Sequence, residues 1–122
     1  MLIELPWPDA RLNPNQSKGK HWAGTAALRK KARNDAIWLT RGALLQRLLI
    51  GSEKLFDDEV AVTITFVQPD KRKRDRDNLL AACKPALDGI AEALGLDDAQ
   101  FEPVTLRREY GAKPGLVRVE LV

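Results

Sequence analysis

The sequence of 122 residues is 44% hydrophobic and 30% charged, which fits one compact domain around a single core and excludes a multidomain assembly or a wholly disordered chain. Lysine and arginine number 20 against 17 acidic residues, a net charge of +3, so the placement of charge, more than its sum, must indicate the partners. One cysteine and one histidine exclude an internal disulfide and a Cys/His zinc cluster, and leave carboxylates to hold any metal.

The apolar stretch Leu2 to Leu5 ends at Pro6 and Pro8, and proline is tolerated only at strand ends or edges, so it reads as a first, edge strand. Glu4, Pro6 and Pro8 also break any secretory signal pattern, and the longest apolar run, Ala43 to Ile50, falls far short of the ~20 residues that span a bilayer. The expectation is a cytoplasmic domain with no membrane segment. A polar, Pro/Gly/Asn-containing loop with Arg11, Lys18, Lys20 and His21 follows. Its length suggests function or mobility, and Trp22 at its end is either a stacking indole or a core anchor.

Thr25 is a candidate cap for a helix over Ala26 to Ile50, with Gly51 placed to stop it. Leu28, Ala32, Ala36, Leu39 and Ala43 form one stripe at helical spacing, while Ile37, Trp38, Leu44, Leu45 and Leu48 fall on the other side. A helix so apolar in its second half predicts burial on two faces, and hence a subunit interface and a homodimer.

Glu59 to Val67 alternates with a period of two in β-branched residues, which predicts a strand. Helical spacing returns over Leu79 to Leu94, with Asp77 or Asn78 as cap and Gly95 as stop. Val104 to Tyr110 and Leu116 to Val122 are strand-like, and the turn residues between them predict a C-terminal β-hairpin. The sum is an α+β fold, a small mixed β-sheet with two main helices, in one domain over residues 1–122.

The densest polar feature is Lys71-Arg72-Lys73-Arg74-Asp75-Arg76-Asp77-Asn78, where five basic residues surround two aspartates between a strand and a helix. One account makes the run a solvated turn with Asp77 as a cap. The other has Asp75 and Asp77 present carboxylates to a hard cation while the basic residues lie along phosphates. Asp97-Asp98 after the second helix is either a polar turn or a second part of that site. Two carboxylates ~5 Å apart at an effective dielectric near 20 repel by roughly 3 kcal/mol, so a gathering of three or four demands a cation, for which Mg2+ is suited. Lys84 either contacts phosphate or pairs with Asp88 four residues on.

From Lys71 to Gln100 the sequence resembles the RusA family of Holliday junction resolvases, small endonucleases carried largely by phages and prophages. The likeness rests on a basic run leading into Arg-x-Asp-x-Asp-Asn, a helix with Lys-x-x-x-Asp at Lys84 and Asp88, and Leu96-Asp97-Asp98-Ala99-Gln100 beyond it, with Leu5-Pro6-Trp7-Pro8 similar to the family's opening. The resemblance implies a homodimeric, magnesium-dependent endonuclease that resolves four-way DNA junctions in recombination and repair. It implies Asp75, Asp77 and Asp98 as catalytic and metal-binding residues with Asp97 beside them, and Lys84 as the catalytic lysine. It matches Asn78 to the family's asparagine, and the charge pattern adds Lys71, Arg72, Lys73, Arg74 and Arg76, with Lys18 and Lys20 of the long first loop, as the residues expected to bind DNA. One departure is that the family's lysine follows the second aspartate by one helical turn, whereas Lys84 follows by two and Ala81 takes the nearer place.

A straight helix from Asp77 to Leu94 spans ~26 Å, too far for one cation to join Asp75 to Asp98. The sequence therefore predicts either a bend near Pro85 or antiparallel helices of two subunits sharing a site. Two rival functions are a non-cleaving DNA-binding protein of the same fold and a metal-dependent RNA nuclease.

Overall fold

The computed structural model describes residues 1–14, 22–49, 56–111 and 113–122, with Trp22 and Ala23 described by backbone alone. Lys18, Lys20, His21 and the helix stop expected at Gly51 lie outside the described residues. The elements run β1 (Leu2–Pro6), a 3-10 turn (Ala10–Leu12), α1 (Trp22–Leu49), β2 (Val60–Gln68), α2 (Arg76–Leu94), a second 3-10 turn (Asp98–Gln100), β3 (Phe101–Tyr110) and β4 (Leu116–Leu121). Four strands form one mixed sheet in the order β1-β4-β2-β3, and the expected α+β architecture with two helices and two C-terminal strands is the one observed.

The pairing of those last strands differs from a hairpin. β4 runs antiparallel to β2 on one side while β3 runs parallel to β2 on the other. The most apolar strand thus takes the centre and each C-terminal strand gains it as partner, which buries Val60, Val62, Ile64 and Phe66 completely. The connection after Tyr110 must then cross the end of β2, a span of two strand spacings or ~9.6 Å. Gly111, at φ +112°, donates its N–H to the Gln68 carbonyl, a backbone conformation that favours glycine. β3 also starts at Phe101, before the expected Val104. Val60 pairs with Phe101 and Val62 with Val104, so Glu102 and Pro103 stand opposite Ala61 in a bulge, where a missing N–H breaks no regular ladder bond.

Both helices cover the same sheet face. Ile3 and Leu5 of β1, the inward residues of β2, and Val117, Val119 and Leu121 of β4 meet Leu79, Cys83, Leu87 and Ile90 of α2. Burial pushes the Cys83 thiol up to about 12, so it behaves as a small apolar side chain. The opposite sheet face is polar, with Glu4, Arg107, Arg118 and Glu120 among its residues. Among the described residues, no helix is long and apolar enough to cross a membrane.

α1 begins at Trp22, so Thr25 is not its cap. Its hydroxyl lies buried within the helix and accepts a hydrogen bond from Arg29 at 2.8 Å. α1 packs on α2 where Gly89 meets the backbone of Arg33 and the side chain of Ala36. A Cβ at Gly89 would overlap the Arg33 carbonyl oxygen and press on the Ala36 Cβ at 3.2 Å. Gly89→Ala gains about 1 kcal/mol of helix propensity, but the fixed backbone opposite cannot yield as a side chain would. We expect a net loss of about 1–3 kcal/mol in urea unfolding.

Candidate functional site

The basic run joins β2 to α2, and Asp75 starts that helix. The Asp75 carboxylate caps the helix: Oδ1 accepts from the Asp77 and Asn78 amides at 2.8 and 3.3 Å. The cap is therefore Asp75 and not Asp77 or Asn78, because the run stays extended through Asp75 and the helix takes up its geometry from Arg76. This frees Asp77, which sits exposed in the first turn with no hydrogen bond or ion pair to its carboxylate among the described residues. Asp75 Oδ2 likewise accepts no bond there. The two aspartates present three oxygens to solvent at the positive end of a helix, beside exposed Lys71, Arg72, Lys73 and Arg76.

The basic run is held in shape by residues that spacing alone did not single out. Gln68, fully buried at the end of β2, donates to the carbonyls of Asp70 and Arg72. Asp70 accepts from the Arg72 amide at 2.9 Å and pairs with Arg74 at 2.9 Å, and the Arg74 guanidinium beside it holds its carboxyl below the usual range. Arg74 lies over the Trp7 ring at 5.4 Å, Trp7 packs edge-on against Phe66 at 6.4 Å, and Arg108 of β3 donates to the Arg74 carbonyl. Arg74 is thus a structural post as well as a cation, with only 19% of its side chain exposed.

At the other end of α2, Gly95 takes a left-handed conformation (φ 68°) and caps the helix as expected. The chain then doubles back along α2. Asp97 caps the following 3-10 turn, accepting from the Ala99 amide, and its own amide donates in turn to Gln100 Oε1. Reversal brings Asp98 to Lys84, whose ammonium bonds Asp98 at 2.6 Å and Asp88 at 3.0 Å. The bond to Asp98 raises the Lys84 pKa, and Lys84 lowers that of Asp98, so both stay charged across the neutral range.

α2 runs unbroken through Pro85, and the reversal after Gly95 brings Asp98 part of the way back, to Lys84. Lys84 lies seven residues past Asp77, about 10 Å along the helix axis. One acidic pair sits at the start of α2 and the other reaches only its middle, so they do not merge. No group of three or more acidic, histidine or cysteine side chains is gathered to hold a metal ion among the described residues. The Asp75 and Asp77 pair alone fits a hard divalent cation, since Mg2+ is commonly held by one or two carboxylates and retains several waters. Asp98 is neutralised by Lys84 and Asp97 is engaged in its cap, so neither joins that pair within one chain.

No family model matches this chain. A protein of Xylella fastidiosa (strain Temecula1), itself described as an uncharacterized protein, is 38% identical over 99 residues, covering 81% of this chain and 61% of the relative. The chain thus spans less than two thirds of that relative's length.

Proposed function

We propose that the protein is a magnesium-dependent, structure-specific endodeoxyribonuclease of the RusA type that resolves four-way DNA junctions by paired nicks as a homodimer. The observation that carries this reading is the exposed Asp75 and Asp77 pair at the start of α2, set inside a basic run that Gln68, Asp70 and Trp7 hold in place. Bound there, the cation would supply an activated water and neutralise charge on the scissile phosphate. Arg72, Lys73 and Arg76 draw in the backbone phosphates, and Asn78 lines a hollow with Arg72, Lys73 and Asp75. Lys84 stays protonated and offers its ammonium to a phosphate oxygen, releasing Asp98 as it turns. A cytoplasmic location and a role in recombination and repair, in a phage or prophage setting, accord with this activity.

The dimer is supported by α1. Trp38, Leu45 and Leu49 recur at spacings of seven and four and are 70%, 59% and 80% exposed, a stripe of the kind that packs against a second helix. Two-fold symmetry would match paired cuts on a junction.

A non-cleaving DNA-binding protein has one observation in its favour, the use of Asp75 and Asp97 as caps. Binding of a four-way junction with Ca2+ replacing Mg2+, in competition with linear duplex and single-stranded RNA, tests the substrate. We expect the junction to win by at least tenfold. Equal competition by RNA would favour an RNA nuclease instead.

A further inference from the structure

We infer that the cleft between α1 and α2 is a second phosphate track, seating the sugar–phosphate backbone of a DNA strand that runs on from the acidic pair. The cleft, about 560 Å³, is lined by Arg11, Arg29, Lys30, Arg33 and Lys84, and Asp88 is the one acid in its lining among the described residues. Leu12, Ala81 and Pro85 supply an apolar floor, and low-dielectric walls with charge of one sign focus the field on an approaching anion. Lys30 is exposed and makes no hydrogen bond or ion pair among the described residues. Arg11 pairs with Asp9 at 2.9 Å and Arg33 with Glu92 at 3.1 Å, both on side chains that are half exposed or nearly so. The exposed Arg33–Glu92 pair holds its cation weakly, so a phosphate can displace that carboxylate, whereas two parallel bonds fix Arg11 on Asp9.

The cleft adjoins the site across a single turn. The 3-10 turn Ala10–Leu12 packs on both helices; Arg11 and Leu12 border the cleft, and Asp9 and Ala10 border the hollow that holds Arg72, Lys73, Arg74 and Asp75. Lys84, in the cleft lining, bonds Asp88 and Asp98 and so links the cleft to the acidic pair that follows α2. The identity of the anion as DNA rests on the nuclease reading; the existence of the track does not.

The test is the salt dependence of binding to a four-way junction and to linear duplex, with EDTA present so that no cutting is needed. Lys30→Gln/Arg33→Gln is compared with Arg107→Gln/Arg118→Gln, which removes the same charge from the open sheet face. Each lost phosphate contact lowers the log–log slope by about 0.9, so the cleft variant loses about 2 from the slope and the control keeps the wild-type value. Protection of Lys30 from acetylation by bound duplex is expected as well, and needs no substitution. Equal slopes for cleft variant and control, with Lys30 unprotected, would overturn the inference. So would wild type that binds poly-glutamate through Lys30 and Arg33 but no DNA. Wild type that shows the slope change yet cuts nothing with Mg2+ supports the track and removes the nuclease reading alone.

Discussion

Asp77→Asn is expected to lower magnesium-dependent cleavage of a four-way junction by at least about 100-fold while junction binding persists or tightens. Asparagine keeps the size of the side chain and the helix start, because the cap is Asp75, but it removes the one carboxylate of the pair that no neighbour engages. Loss of a cation's charge stabilisation is worth several kcal/mol in the transition state, and each 1.36 kcal/mol is tenfold. Binding gains by the loss of a negative charge facing phosphates. Gel-resolved cleavage and binding on the same preparation check both halves. Asp75→Asn adds a refinement: asparagine caps as well as aspartate, so the fold is kept and any loss of cleavage reports on the charge.

Phe66→Ala is expected to cost about 3–5 kcal/mol of stability, measured by urea unfolding. The ring is fully buried at the centre of the sheet and meets Trp7 edge-on. Its removal leaves a cavity and withdraws the support of Trp7, which carries Arg74. Junction binding by the folded fraction should therefore weaken although Phe66 touches no ligand. Trp7→Phe, by contrast, should leave stability nearly unchanged and affect the basic run alone.

What the sequence could and could not convey divides along physical lines. The period of two in β2, the helical spacing of α2 and the glycine at its end are local patterns, and each appears where expected. The C-terminal strands were legible as strands but not as partners. A hairpin is the local solution for two strands joined by a short turn, whereas the observed order follows from the burial of β2, a property of the whole sheet. α1 starts at Trp22 although Thr25 is a good capping residue, since its hydroxyl finds a partner in Arg29 inside the helix.

Within the candidate site, the acidic pair was legible because two aspartates in a basic run are chemically unusual. The cap was not: Asp77 and Asn78 suit that position by residue type, but the run stays extended through Asp75, which takes it. The approach of Asp98 to Lys84 depends on the reversal after Gly95, which spacing along a straight helix cannot reveal. Trp7 and Arg108 act through contacts between distant segments, and Gln68 through bonds to carbonyls two and four residues on. The one local hint was a glutamine ending an otherwise apolar strand.

The decisive experiment is to incubate the wild-type protein with a synthetic four-way junction and Mg2+ and to map the cuts on all four strands, with linear duplex beside it. A RusA-type resolvase will leave symmetric nicks in two opposed strands, absent from the duplex and absent without the metal. A protein that binds the junction but leaves all four strands intact across Mg2+, Mn2+ and Co2+ would contradict that assignment.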